Sequence, residues 1–247
     1  MRRGVTAVLR MHNVKRCVIL GRVNRFTAEV YLGSSKRTAY VNNTGRLLGY
    51  LSRGRRGFCI KQRRELKNDL RLFAVKEGRL AAVIDTQLQT KALEKMMELN
   101  LIPWLRHFSI RRRNAKLGSS LIDYLLDHPG GEVYMEVKSA VLRSDGYAVY
   151  PDCPTIRGRR HIAELTDHVA GGGRGIILFI AALPGVKAFK PNYSADPEIS
   201  RLLLEAAEAG VEVRAIRLHY NPEDHHVYLS EPDLPVHLQH PMSLARR

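Results

Sequence analysis

An α/β protein with an all-β N-terminal part is the expectation for these 247 residues. Three features carry it. Up to about residue 85 the chain is a run of short alternating apolar segments punctuated by Gly and Asn, as in small antiparallel sheets. From residue 87 onward, helical spacing alternates with strand-like segments, as in α/β domains. The charge divides at nearly the same place. Of a net +16, residues 1–80 hold twenty Lys and Arg against four acids, and the twenty bases of the remainder meet twenty acids. Two domains are therefore expected, 1–85 and 86–247.

In the first domain the strands are TAVLRMH, RCVILG, FTAEVYL, TAYVNN, GFCIKQ, RLFAVKEG and LAAVID, with KEGRL (76–80) as a hairpin turn. So many short strands suit a small barrel, and an oligonucleotide-binding (OB) barrel is one common solution. Positive charge confined to this part points to a polyanion, nucleic acid being the usual one. A basic surface that only confers solubility is the alternative. Arg46 at the turn NNTGR (42–46), Arg53, Arg55 and Arg56 in the loop SRGRRG (52–57), and Arg63 and Arg64 beyond it are the candidate phosphate contacts. The amides of such a turn also suit phosphate. DNA, duplex or branched, is the expected partner. RNA is the weaker one, because aromatics for stacking are few in the basic third.

In the second domain QTKALEKMMELN has apolar residues at Ala92, Leu93, Met96, Met97 and Leu99, which is helical spacing. SLIDYLLD and EVYMEVKSAVL read as strands. TIRGRRHIAELTDHVAGGG reads as a helix closed by glycines. GIILFIAAL is a buried strand, too short and too near Pro184 for a membrane span. DPEISRLLLEAAEAG is a helix opened by Asp-Pro and ended at Gly210, and VEVRAIRLHY is a strand. The terminal HPMSLARR is expected to be a loose tail. The N-terminus reads as no signal peptide. Cys17, Cys59 and Cys153 form no CxxC pair. A reducing cytoplasm is the expected setting, with no membrane partner.

The chemistry concentrates in VYMEVKSAV (133–141). Residues two apart on a strand share a face, so Glu136 and Lys138 point the same way. Upstream, Asp123 is the lone acid within LIDYLL, and DHPGGE between the two strands is a turn signal. In a hairpin symmetric about Pro129 and Gly130, Asp123 and Glu136 stand directly opposite, with Cβ atoms about 5 Å apart. A one-residue slip puts them on opposite faces. Two facing carboxylates repel unless a cation lies between them, and a divalent ion with oxygen ligands suits the role. The expected metal ligands are Asp123 and Glu136, for Mg2+ or Mn2+. Lys138 would stabilise developing charge on a scissile phosphate. A solvated Glu136–Lys138 ion pair on an open face is the plainer reading. Downstream, Arg157, Arg160, His161 and Glu164 share a helix face near the helix start. They suit phosphate grip and support, or equally an amphipathic helix with a solvated side.

With these residues in view, the sequence resembles the sugar fermentation stimulation protein family over about residues 24–235. NRFTAEV, VNNTGRLLGYLSRG, SSLIDYLL, YMEVKSAVL, YPDCPTIRGRRHIAEL and ADPEISRLLLEAAEAGVEVRAI carry the resemblance. It implies a small OB-like barrel followed by a PD-(D/E)XK nuclease-like α/β domain. It also implies DNA binding and a link to regulating sugar-utilisation genes. In that pattern Asp123, Glu136 and Lys138 fall on the metal-site positions, and Glu94 or Glu98 is an additional acid. The type often acts as a dimer. This chain departs from the family pattern at Leu121, where an arginine is usual, and at Ile156, where a glutamate is usual. Tyr40 and Asn42 replace a histidine and a proline.

Overall fold

A computed structural model describes residues 5–62 and 69–238. Arg63, Arg64 and the tail HPMSLARR lie outside the described residues. The chain forms two compact units. One gathers the described residues of 1–96, 182–185 and 217–231, and the other those of 97–181, 186–216 and 232–247.

The first unit contains β1 (Thr6–Arg10), β2 (Lys15–Asn24), β3 (Thr27–Leu32), β4 (Ser35–Tyr40), β5 (Arg56–Lys61), β6 (Leu70–Glu77) and β7 (Leu80–Val83). Strands pair in the order β4-β3-β2-β5-β6. A short parallel pairing, Ala39 with Leu70 and Tyr40 with Arg71, joins β4 back to β6 and closes five strands into the OB-like barrel. The interior follows from period-two alternation. On β3, Ala28 and Val30 are fully buried, while Glu29 and Tyr31 face outward. Ile19, Ala39, Cys59 and Leu72 complete the packing. Gly57 is required there, because a Cβ would lie 2.7 Å from Leu72 Cδ1 and 3.0 Å from Cys17 Sγ. The thiols of Cys17 and Cys59 are free and buried, with sulfurs 3.4 Å apart.

The expected turn at KEGRL joins β6 to β7, with Gly78 at φ +63°. Asp85 caps the next helix, α1 (Thr86–Glu98), by accepting from Leu88 N at 2.9 Å, and it pairs with Arg71 through both carboxylate oxygens. The turn NNTGR is held from beneath. Arg22 donates to the carbonyls of Asn43, Gly45 and Arg46, and Asn43 Oδ1 accepts from Gly45 N at 2.9 Å.

The second unit contains β8 (Ser109–Leu117), β9 (Ser120–Asp127), β10 (Val133–Ser139), β11 (Leu142–Ser144), β12 (Tyr147–Tyr150), α2 (Ile156–Ala170), β13 (Gly175–Ala181), β14 (Ala188–Pro191) and α3 (Pro197–Glu208). The division between units falls inside β15 (Glu212–Asn221), and β16 (His226–Glu231) belongs to the first unit. The sheet order is β8-β9-β10-β13-β15, with β10 and β13 parallel. Every residue of β13 is buried, as a central parallel strand requires. Helix α2 packs on β9, β13 and α3. Its buried residues, Gly158, His161, Ile162 and Leu165, follow the helical period. Strands β11, β12 and β14 form a separate small sheet. Among the described residues no helix is long and apolar enough to cross a membrane.

Candidate active site

The hairpin of β9 and β10 sets the site. Its pairs are Val133 with Leu126, Tyr134 with Leu125 and Met135 with Tyr124. One step further along this register, Asp123 stands opposite Glu136, as the symmetric turn predicts. There the side chains take over from the backbone ladder. Val137 N donates to Asp123 Oδ2 at 2.8 Å, and Asp123 N donates to Glu136 Oε2 at 3.2 Å. Each carboxylate is thus fixed by the other strand's main chain.

Glu136 Oε1 accepts two further bonds, from Lys138 Nζ at 2.5 Å and from His161 Nδ1 at 2.6 Å. The tautomer of His161 follows from its other nitrogen. Arg157 Nε can only donate, and it lies 3.2 Å from His161 Nε2. Nε2 therefore carries the lone pair, and the ring proton sits on Nδ1, directed at Glu136. Glu136 is 3% exposed, Lys138 9% and His161 2%.

The electrostatics follow from this packing. Burial pushes the Asp123 carboxyl up to about 6, repulsion from Glu136 adds to it, and Val137 N–H and Lys138 oppose it. Burial also works to raise Glu136, but Lys138 and His161 outweigh it and hold the carboxyl below its ordinary value. Burial works against the Lys138 ammonium, and the attraction of Glu136 overcomes it. Tyr150 is raised, chiefly by burial. At neutral pH the cluster holds two carboxylates against one ammonium, a net negative charge on oxygen donors of which Asp123 is the half-exposed one.

Helix α2 is locked in position to deliver His161. Thr155 caps it, accepting from Gly158 N at 3.1 Å. Gly158 has no room for a Cβ, which would meet Thr155 Cγ2 at 2.7 Å and Tyr150 Oη at 2.8 Å. Asp196, fully buried, accepts from Thr155 N at 3.0 Å, Arg159 Nε at 3.1 Å and Ile199 N at 3.2 Å. It thereby caps α3 and pins the start of α2 together. Further along α2, Glu164 accepts from the backbone N–H of Ser119 and Ser120, and Arg160 Nε donates to Ser120 Oγ at 3.2 Å. These bonds clamp the helix to the β8–β9 turn.

Other expected site residues divide by exposure. Arg46, Arg53, Arg56, Arg157 and Arg160 are exposed. Arg55 is not a free contact: it donates to Lys76 O at 3.0 Å and lies over the Tyr50 ring at 5.7 Å. His161, expected among the phosphate contacts, instead has both ring nitrogens engaged beneath the carboxylates. The physical reason is that it falls on the buried stripe of α2 with Gly158, Ile162 and Leu165. Among the described residues no three His, Cys, Asp or Glu side chains are grouped so as to hold a metal ion. Sequence reasoning missed Tyr150 and Asp196. The only signal for Asp196 was the Asp-Pro helix start, which says nothing of its grip on Arg159 and Thr155.

Comparison with known proteins decides the family. Residues 20–84 match the model described as the SfsA N-terminal OB domain, and residues 87–224 match the sugar fermentation stimulation protein RE domain. The chain belongs to the sugar fermentation stimulation protein family. The Pyrococcus furiosus homologue of the sugar fermentation stimulation protein is 44% identical over 215 residues, covering 87% of this chain and 93% of the relative. The Archaeoglobus fulgidus homologue is 42% identical over 226 residues, covering 92% and 97%. A solved structure, that of Pyrococcus furiosus SfsA in complex with Ca2+, superposes with a TM-score of 0.90 at 40% identity. It covers 94% of this chain and 99% of that one. The family's two matched parts, an N-terminal OB domain and the RE domain, correspond to the OB-like barrel and the α/β domain of this chain.

Proposed function

We propose that this member of the family is a DNA-binding protein with a metal-dependent phosphodiesterase site at Asp123, Glu136 and Lys138. One observation carries the reading: a half-buried Asp123 and the buried Glu136 and Lys138 converge on one hairpin face, each locked by hydrogen bonds. The donor set fits a hard divalent cation, because Mg2+ is commonly held by one or two carboxylates plus water and phosphate oxygens. The Ca2+ held by the Pyrococcus furiosus protein supports a divalent ion here. Asp123 and Glu136 would hold it, with Mg2+ or Mn2+ as the working metal. Such an ion supplies Lewis-acid stabilisation and a bound water of lowered pKa.

The chain's own residues do the rest. Lys138, kept charged by Glu136, neutralises charge developing on a phosphate oxygen. His161 fixes the orientation of Glu136 through its Nδ1 proton, and Arg157 fixes the tautomer of His161. Exposed Arg157 and Arg160 face incoming phosphates. The charge surplus of residues 1–80, with Arg46, Arg53 and Arg56 exposed, holds the DNA backbone.

A second reading has its own support. Glu136 Oε1 is already shared by Lys138 and His161, and no third acidic or histidine ligand joins the pair among the described residues. A regulator of sugar-utilisation genes that binds DNA without cutting it fits that arrangement. Purified protein with labelled plasmid and branched DNA, in Mg2+ or Mn2+, separates the two. Under the first reading cleavage needs the metal and falls at least about a thousandfold in Glu136→Ala. Equal DNA binding by both proteins, with cutting in neither, establishes the second.

A further inference from the structure

The barrel unit carries a basin that shares only Arg56 with the DNA contacts proposed above. Its volume is about 530 Å3, within the range of small-ligand sites. The floor comes from three neighbouring strands. Val18 on β2 stands beside Tyr31 on β3 and beside Arg56 on β5, so the three share one outward face. Val18 is 40% exposed and Tyr31 39% exposed, an unusual opening for an aliphatic and an aromatic residue in mid-sheet. Phe58 continues the apolar floor, backed by Tyr220 with ring centroids 5.3 Å apart.

Four cations ring this floor: Arg16, Arg56, Lys76 and Arg79. Lys76 and Arg79 flank the left-handed turn at Gly78, which brings both to the same rim. None of the four side chains has an ion-pair partner among the described residues. Glu223 lies on the same rim and is likewise unpaired. Four cations against one acid around a single concavity raise the local potential for anions. The exposed ring and valine beneath them add a flat apolar surface.

We propose that this basin binds a nucleoside phosphate, with phosphates on the Arg/Lys rim and the base against Tyr31 and Val18. Glu223 is the acceptor for a ribose hydroxyl or an exocyclic amine, which a purely backbone-binding groove has no use for. A free nucleotide and a nucleotide unit within a single strand share this chemistry, and the test distinguishes them. The site is independent of the phosphodiesterase assignment.

The test is calorimetric titration of the full chain with ATP, with inorganic triphosphate and with octathymidylate, all in EDTA. The chelator removes any metal-mediated binding at Asp123 and Glu136. ATP is expected to saturate with a Kd of about 10–100 μM, and triphosphate to bind at least about tenfold more weakly. Arg16→Ala/Arg79→Ala is expected to weaken ATP at least about tenfold with unchanged thermal unfolding. Tyr31→Ala is expected to weaken ATP but not triphosphate. If octathymidylate displaces ATP and fails in the double variant, the bound unit belongs to a strand; if it does not compete, the ligand is a free nucleotide. Triphosphate binding as tight as ATP overturns the proposal. So does the lack of saturation by both ATP and octathymidylate up to about 2 mM, or affinity indifferent to the double variant.

Discussion

Asp123 holds its charge at a cost. Its carboxyl, lifted to about 6 by burial and by Glu136, is harder to ionise in the fold than in the unfolded chain. The sign follows directly. Above pH 6 the folded state bears the full penalty, and the penalty shrinks as pH falls toward the ordinary carboxylate value. Asp123→Asn keeps an oxygen for Val137 N–H and removes the charge. We expect it to raise Tm by about 3 °C at pH 8, corresponding to about 1 kcal/mol, with little gain at pH 4. Metal affinity, measured by calorimetry, is expected to collapse in the same variant. Stability rising as binding falls is the mark of a residue kept for chemistry.

His219 works in the opposite sense. Burial, with Arg217 nearby, lowers it to about 4, while Asp224 pulls the other way. The fold holds the neutral ring. Stability is therefore undiminished above pH 6.5, falls as pH drops from 6.5 toward 4, and levels off below. His219→Phe keeps a ring beside Tyr228, whose centroid is 5.7 Å away. Chemical denaturation at pH 7 and pH 4.5 should show the variant losing about 1–2 kcal/mol less than the parent across that interval.

Among the elements, α2 matters most, because it carries His161 and is fixed at its start and at mid-length. Asp196 is its anchor, fully buried with three donors. Asp196→Ala removes the cap of α3 and leaves Arg159 and Thr155 N without their partner. An expected loss of about 3 kcal/mol, read from urea unfolding, should come with weaker cleavage even though residue 196 makes no bond to the carboxylate pair. Much of this was legible beforehand. The turn DHPGGE located the hairpin, with Asp123 opposite Glu136 on the condition of a symmetric turn, and the apolar spacing of α2 and the run of β13 identified both elements. The edge strand β8 was not legible, because SIRRRNAKL is mostly exposed and shows little apolar alternation. Strands β12 and β14 were not legible either. They are four residues each and pair in parallel across about forty residues, information no local window contains. The closure of the barrel by two pairs between β4 and β6 is hidden for the same reason.

At the scale of the whole molecule, charge is segregated along the chain, with the entire surplus in residues 1–80. DNA affinity is therefore expected to fall about a thousandfold between 50 and 200 mM salt, as for about six neutralised phosphates. Removing Arg46 and Arg53 together should reduce the slope of log K against log salt by about two. Fluorescence anisotropy over a salt series measures both. A flat response assigns the positive charge to solubility.

The arginines of β8 have one more consequence. β8 ends the order of its sheet, so one side of its backbone has no strand partner among the described residues. Such a border invites a second copy to add its own strand, the first step toward fibrils. Here the border carries Arg111, Arg112, Arg113 and Lys116, and the register slips between Ile110 and Arg112. Two copies meeting there would set like charges face to face across a kinked ladder. Basic residues that add nothing to the surplus of residues 1–80 thus guard the protein against its own kind.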